Sequence, residues 1–181
     1  MTVTVFAWKM FKYRPGEGVG VGHAALSISG NFGSIYVSFW PAAHNLKSGL
    51  YSEAKLHFMN GDKKADGTPD WASKPIEDLN EERIIQWWSR TQPNCLLDFK
   101  NRTDFMKTGE VSAAKGSIYN IVANQCSTTV VRALIEGASS NRKAAIIGAL
   151  GISHGTGAGV ISLPTITPQD VRNLVASVWG D

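Results

Sequence analysis

The sequence predicts an α+β fold, an antiparallel sheet packed against helices, in a single domain over residues 1–181. Strand-like alternation with turn signals runs up to Pro41, and capped segments of helical periodicity follow from Asn80 onward. With 43% hydrophobic and 18% charged residues, the chain can bury one sizeable core.

Thr2 to Trp8 is β-branched and aromatic, a first strand. Arg14 to Gly22 is a glycine-rich loop containing Pro15. His23 to Ser29 alternates, with His23, Ala25, Ser27 and Ser29 on one face and Ala24, Leu26 and Ile28 on the other. The run from Gly30 to Ser34 makes a hairpin turn into a strand from Ile35 to Trp40, closed by Pro41. From Ala42 to Pro75 the pattern gives way to polar loop, densest in turn residues between Asn60 and Asp70, and a loop of that length has a task or hides short strands.

Asn80 caps a helix that runs to about Arg90, with acidic Glu81 and Glu82 in its first turn and an apolar face of Ile84, Ile85, Trp87 and Trp88. Those tryptophans read as core. The run beginning at Tyr119 turns at Cys126 into a helix through Val130, Val131, Leu134 and Ile135, with Gly137 as its stop. Gly148 to Gly159 reads as loop; its glycines lack the strand-then-helix setting of a nucleotide loop. Thr167 caps a last amphipathic helix, with Pro168 in its first turn, Asp170 completing the cap, and Val171, Leu174, Val175 and Val178 on one face.

Several function classes are disfavoured. The net charge of +3 comes without a Lys/Arg run, so nucleic acid is not expected as a partner. The start lacks a basic segment followed by a long apolar stretch, so no secretory signal is read and synthesis in the cytoplasm is expected. The longest apolar run, Ala144 to Ile152, is shorter than the roughly 18 residues of a membrane span. Cys95 and Cys126 are isolated from each other, and neither Cys-x-x-Cys nor a spaced histidine pair occurs, so neither a metal nor another cofactor is expected.

Cys126 has the setting of a nucleophile: at a helix start, free N–H groups and the macrodipole stabilise a thiolate. Its own N–H is a candidate oxyanion donor. A thiolate enzyme needs a base and a group that orients it. His23, between Gly22 and Ala24 behind a glycine-rich loop, is the favoured base. His44, His57 and His154 compete, but each reads as lying in loop or mixed polar sequence without a rigid element beneath it.

The segments Gly22-His23-Ala24-Ala25-Leu26, Tyr36-Val37-Ser38-Phe39-Trp40-Pro41 and Tyr119 through Gly137, with Asn124-Gln125-Cys126-Ser127-Thr128, resemble the circularly permuted papain-like proteins. These include permuted relatives of NlpC-type peptidases and of lecithin:retinol acyltransferase. More narrowly, the chain is similar to bacterial effector domains related to the Rho-inactivation domain of multifunctional toxins, which resemble cysteine-based lysine fatty-acyltransferases. The resemblance implies a catalytic Cys at a helix N-terminus, preceded in the chain by the histidine strand. It implies Asp62, after the Trp-Pro strand, as the orienting acid, with Ser38 as the alternative. Family patterns often read Asn-Cys-Ser; here Gln125 stands between Asn124 and Cys126, so an oxyanion or positioning role falls to Gln125 or Asn124.

The expected activity is cysteine-dependent acyl transfer or hydrolysis, with an acyl-enzyme on Cys126. The substrate would be an acyl lipid or a protein; a peptidoglycan or protein amidase is the alternative, and a non-catalytic binding module on the same fold a second. The resemblance further implies a toxin exported by a specialised secretion system, an immunity or delivery protein as partner, and peripheral membrane contact.

Overall fold

The computed structural model describes residues 2–9, 22–30, 33–42, 52–95, 107–120, 125–151 and 165–180. It is α+β, with antiparallel sheets packed against helices. The first sheet holds β1 (Thr2–Trp8), β2 (His23–Gly30), β3 (Gly33–Val37) and β6 (Trp71–Ala72) in the order β3-β2-β1-β6. The second joins β4 (Phe39–Pro41), β5 (Ser52–His57) and β7 (Glu110–Ser112), and β8 (Ile118–Tyr119) also pairs with β5.

The hairpin expected between Gly30 and Ser34 forms, with Gly30 opposite Gly33 and Leu26 opposite Val37. The alternation expected of β2 also holds: Ala24, Leu26 and Ile28 join the main core with Val3, Val5 and Val37, while Ala25 joins Trp8 and Tyr36 in a second cluster. Two expectations are corrected. The strand from Ile35 to Trp40 is not one strand: it breaks at Ser38, where the chain passes from the first sheet to the second. The span from Ala42 to Pro75 does hide short strands, β5 and β6, but it also contains a helix that was not expected, α1 (Met59–Asp66).

Helix α2 (Glu81–Thr91) starts as expected, with the Asn80 side chain accepting from the Arg83 N–H at 2.9 Å, and it buries Ile84 and Trp88. Helix α3 (Cys126–Gly137) is the centre of the molecule. All its residues except Arg132 and Glu136 are buried, as befits a helix apolar on nearly every side. Gly137 lets α2 approach closely, because a Cβ there would overlap Ile84.

Helix α4 (Ser140–Ala149) replaces part of the loop expected from Gly148. Ser139 accepts from the Arg142 N–H, and Ile146 anchors the helix in the core. Helix α5 (Pro168–Trp179) begins with the reciprocal Thr167 and Asp170 cap and buries the four predicted apolar residues, Val171, Leu174, Val175 and Val178. Among the described residues no helix is long and apolar enough to cross a membrane. The glycine-rich loop up to Val21 and the segment 152–164 lie outside the described residues.

Candidate active site

The hairpin register assembles one wall of the site. Side chains alternate across a strand, so His23 shares a face with Ala25 and Ser27. Ser27 pairs with Tyr36 and Leu26 with Val37, after which the chain leaves this sheet at Ser38 and carries Trp40 into the second. On the other side of β2, Trp8 pairs with His23. His23 is thus framed by aromatic rings, its centroid 4.4 Å from that of Trp40 and 5.2 Å from that of Trp8.

Helix α1 delivers Asp62 into this frame. The Phe58 N–H donates to the Gly109 carbonyl at 2.9 Å, and Gly61 rests directly against that carbonyl. At the far end, Trp8 Nε1 donates to the Gly67 carbonyl at 2.8 Å. Asp62 lies in the helix's first turn, where the macrodipole favours a carboxylate, and it is fully buried.

Five donors converge on that carboxylate. Oδ2 accepts from the Tyr36 hydroxyl at 2.7 Å and from His23 Nε2 at 3.1 Å. Oδ1 accepts from Trp40 Nε1 at 2.6 Å, from the Ser38 hydroxyl at 3.0 Å and from His57 Nδ1 at 3.0 Å. Ser38 Oγ also lies 3.0 Å from His23 Nε2, so Ser38 and Asp62 meet on the same ring nitrogen. The two residues weighed as alternatives are therefore brought together at one ring nitrogen.

With Nε2 so engaged, Nδ1 is the ring nitrogen left for another partner. Cys126 opens α3 beside His23 and the Ala24 backbone, and its Sγ lies 3.9 Å from Ser127 Oγ. Burial by itself would raise this thiol; the charge on His23, followed by the polar groups beside it, outweighs burial and brings it below the ordinary value. Burial would likewise lower His23, but the charges of Asp62 and Cys126 and the hydrogen bond to Asp62 push it up to about 10. Asp62, which burial would raise, is held well below the usual carboxylate range by His23, with help from His57 and Tyr36. The three groups favour a carboxylate, an imidazolium and a thiolate in series.

Tyr119 closes the far side. It is buried, stacks on Phe39 at 5.8 Å and lies close to Cys126. Burial, and then the neighbouring thiolate charge, push its hydroxyl far above the phenol range, so it remains a donor.

Gln125 stands at the N-cap of α3. Its backbone N–H donates to Thr128 Oγ1 at 2.9 Å and its amide nitrogen to the Ile166 carbonyl at 2.8 Å, which ties the helix start to the segment before α5. Asn124 lies outside the described residues, as do His44 and His154.

His57 is the residue the sequence reading misplaced. It ends strand β5 and is 4% exposed, so it has the rigid element it was expected to lack. Its signal was parity within Ser52–His57, where Ala54 and Leu56 alternate toward the core. Tyr36 was legible in the hairpin register, whereas Trp40 lies past the break at Ser38 and Asp62 in α1 had no apolar periodicity to announce it. Among the described residues no group of three or more His, Cys, Asp or Glu is arranged to hold a metal ion.

No protein-family model matches the chain, and comparison with curated proteins and with solved structures gives no match.

Proposed function

We propose that the protein is a cysteine-dependent acyl-transfer enzyme of permuted papain-like architecture. Cys126 attacks an ester, thioester or amide carbonyl, His23 passes the proton to the leaving group, and Asp62 with Ser38 holds the imidazole. Water, an amine or another acceptor then resolves the acyl-enzyme. The observation that supports this best is the series Asp62, His23, Cys126, in which one ring nitrogen is held by the carboxylate and the thiol at the helix start is lowered by the ring. The Cys126 N–H and the Tyr119 hydroxyl are the candidate oxyanion donors.

The resemblance that orders a histidine strand before a cysteine helix gives the biological setting, a bacterial effector or toxin acting on acyl lipids or acylating or cleaving a protein. Peptidoglycan or protein amide hydrolysis uses the same three groups. One observation favours a different class, a binding module with an inert cysteine: Cys126 is only 2% exposed.

Iodoacetamide separates the classes. The enzyme reading expects Cys126 to alkylate at pH 6 at least about tenfold faster than an ordinary thiol of pKa about 8.5, and to do so only while His23 is present. An ordinary profile identifies the inert module. Incubation with acyl-CoA, lipid extract or peptide pools, read by intact mass, should add an acyl group to the parent and none to Cys126→Ala or His23→Ala.

A further inference from the structure

Asp62 is shared by two histidines, and the mechanism above uses one of them. His57 donates from Nδ1 to Asp62 Oδ1 at 3.0 Å, and its ring lies against Trp40 at 4.7 Å with an interplanar angle of 17°. Trp40 in turn lies against His23 at 4.4 Å, so one indole separates two imidazoles that reach the same carboxylate. The oxygens are divided: Oδ2 takes His23 and Tyr36, and Oδ1 takes Ser38, Trp40 and His57.

The origin of the donors matters more than their number. Tyr36, Ser38 and Trp40 come from β3, its junction with β4, and β4. His57 alone comes from β5, which pairs with β4 on one side and β7 on the other. The carboxylate is thus held from both sheets, with Tyr36 from the first and Trp40 and His57 from the second, and His57 is its donor from β5.

The outer nitrogen of His57 contributes little to this. Nε2 is buried without a hydrogen bond and lies 3.4 Å from Glu110 Oε2, a carboxylate that is half exposed and paired with Lys55 at 2.7 Å. The groups facing the ring are therefore Asp62 from α1, Glu110 from β7 and Trp40 from β4, and the strong bond is the inner one.

We infer that His57 is a positioning residue for the proposed thiol chemistry, whose Nδ1–H turns the Asp62 carboxylate so that Oδ2 faces His23. This rests on the acyl-transfer reading of Cys126. The test is the iodoacetamide rate of Cys126 against pH in a Cys95→Ser background. His57→Phe keeps an aromatic ring against Trp40 and removes the donor; it is expected to slow alkylation at pH 6 about tenfold, the usual scale for a lost hydrogen bond to a charged group. His57→Asn places an amide N–H near the Nδ1 position and is expected to recover the rate to within about threefold. Should the Phe variant fail to fold, His57→Gln, whose amide falls nearer Nε2, is expected to show the same loss. Glu110→Gln, which leaves the inner bond intact, is expected to change the rate less than about twofold.

A residue needed only for packing would leave the rate of the Phe variant at the parental value, and that result overturns the inference. So does an Asn variant as slow as the Phe or Gln variant, or a Glu110→Gln loss as large as theirs. An ordinary thiol profile in the parent overturns the acyl-transfer reading and this one with it, whereas a depressed profile that His57→Phe does not alter overturns this one alone.

Discussion

Helices α1 and α3 each present one ionisable side chain from the first turn, and they are held by opposite means. Helix α3 is enclosed by the core, with Val130, Val131, Ala133 and Leu134 fully buried, so the position of Cys126 is fixed by apolar packing that extends along the whole helix. Helix α1 buries only Gly61 and Asp62. Its position depends on the Gly109 carbonyl, on Trp8 reaching Gly67, and on the five hydrogen bonds to Asp62 itself. The carboxylate is therefore both the product of the helix's placement and a large part of its cause. That difference predicts that substitutions in α1 couple stability to thiol reactivity.

Asp62→Asn should have the largest effect. It leaves His23 buried without its counter-charge and turns an N–H₂ toward groups that are themselves donors, a situation that costs about 3–5 kcal/mol. Urea unfolding measures this, and iodoacetamide labelling of the folded fraction should give a Cys126 rate near that of an ordinary thiol. A stable variant with parental reactivity would break the comparison. The pH dependence follows from the same groups. His23 is raised, so its stabilisation is complete below its unfolded value near 6.5 and is lost as pH rises toward about 10. Asp62 is lowered, so its contribution is present above the ordinary carboxylate range and is lost as pH falls through and below it. Parental stability should thus decline on both sides of a maximum between those limits, and Asp62→Asn should flatten both limbs.

Gly61→Ala ranks next, and two principles disagree about its sign. Helix propensity alone would make alanine stabilising by about 0.5–1 kcal/mol. Packing argues the reverse, because the new Cβ would overlap the Gly109 carbonyl oxygen and sit 3.3 Å from the Gly109 Cα. Backbone on backbone cannot relax as a side chain can, so a net loss of about 1–3 kcal/mol is expected, with slower Cys126 labelling as Asp62 is displaced. A raised melting temperature would show that α1 has room to move and is held by Asp62 alone.

The same contrast explains what could be read from the sequence. Helices α2, α3 and α5 carry apolar residues at helical spacing and recognisable caps, and β1 and β2 alternate cleanly; each signal comes from burial of one face or of every face. Helix α1 reads Met-Asn-Gly-Asp-Lys-Lys-Ala-Asp, which has no apolar stripe, because what it buries is a glycine and a charge. Its turn-forming composition argues for loop. Tertiary contacts override that local preference, and no window of sequence contains Gly109 or Trp8 alongside it. Strand β5 was obscured because His57 sits with the charged Glu53 and Lys55 on the face opposite Ala54 and Leu56, and helix α4 because Gly148 and Gly151 draw attention away from Ser139 and Ile146. The site residues divide in the same way. Cys126 and His23 sit on elements with strong periodicity, whereas the contact of Asp62 with His23 spans 39 positions and depends on an element with none.

The two cysteines give the mildest test, since they separate the effect of burial from the effect of partners. Cys95 lies in a 3-10 turn (Pro93–Cys95), partly buried against the core. Burial pushes its thiol up, and the polar groups beside it offset only part of that. Cys126 is more deeply buried and yet moves the other way, because His23 stands beside it. If partners rather than depth set reactivity, Cys95→Ser should leave the Cys126 alkylation profile unchanged and alter stability by less than about 1 kcal/mol. In the parent at pH 6, nearly all early label should be found on Cys126 by peptide mapping, although Cys95 is the more accessible thiol. Preferential labelling of Cys95 would mean that accessibility governs, and that the charge series from Asp62 through His23 does not hold the Cys126 thiol as an anion.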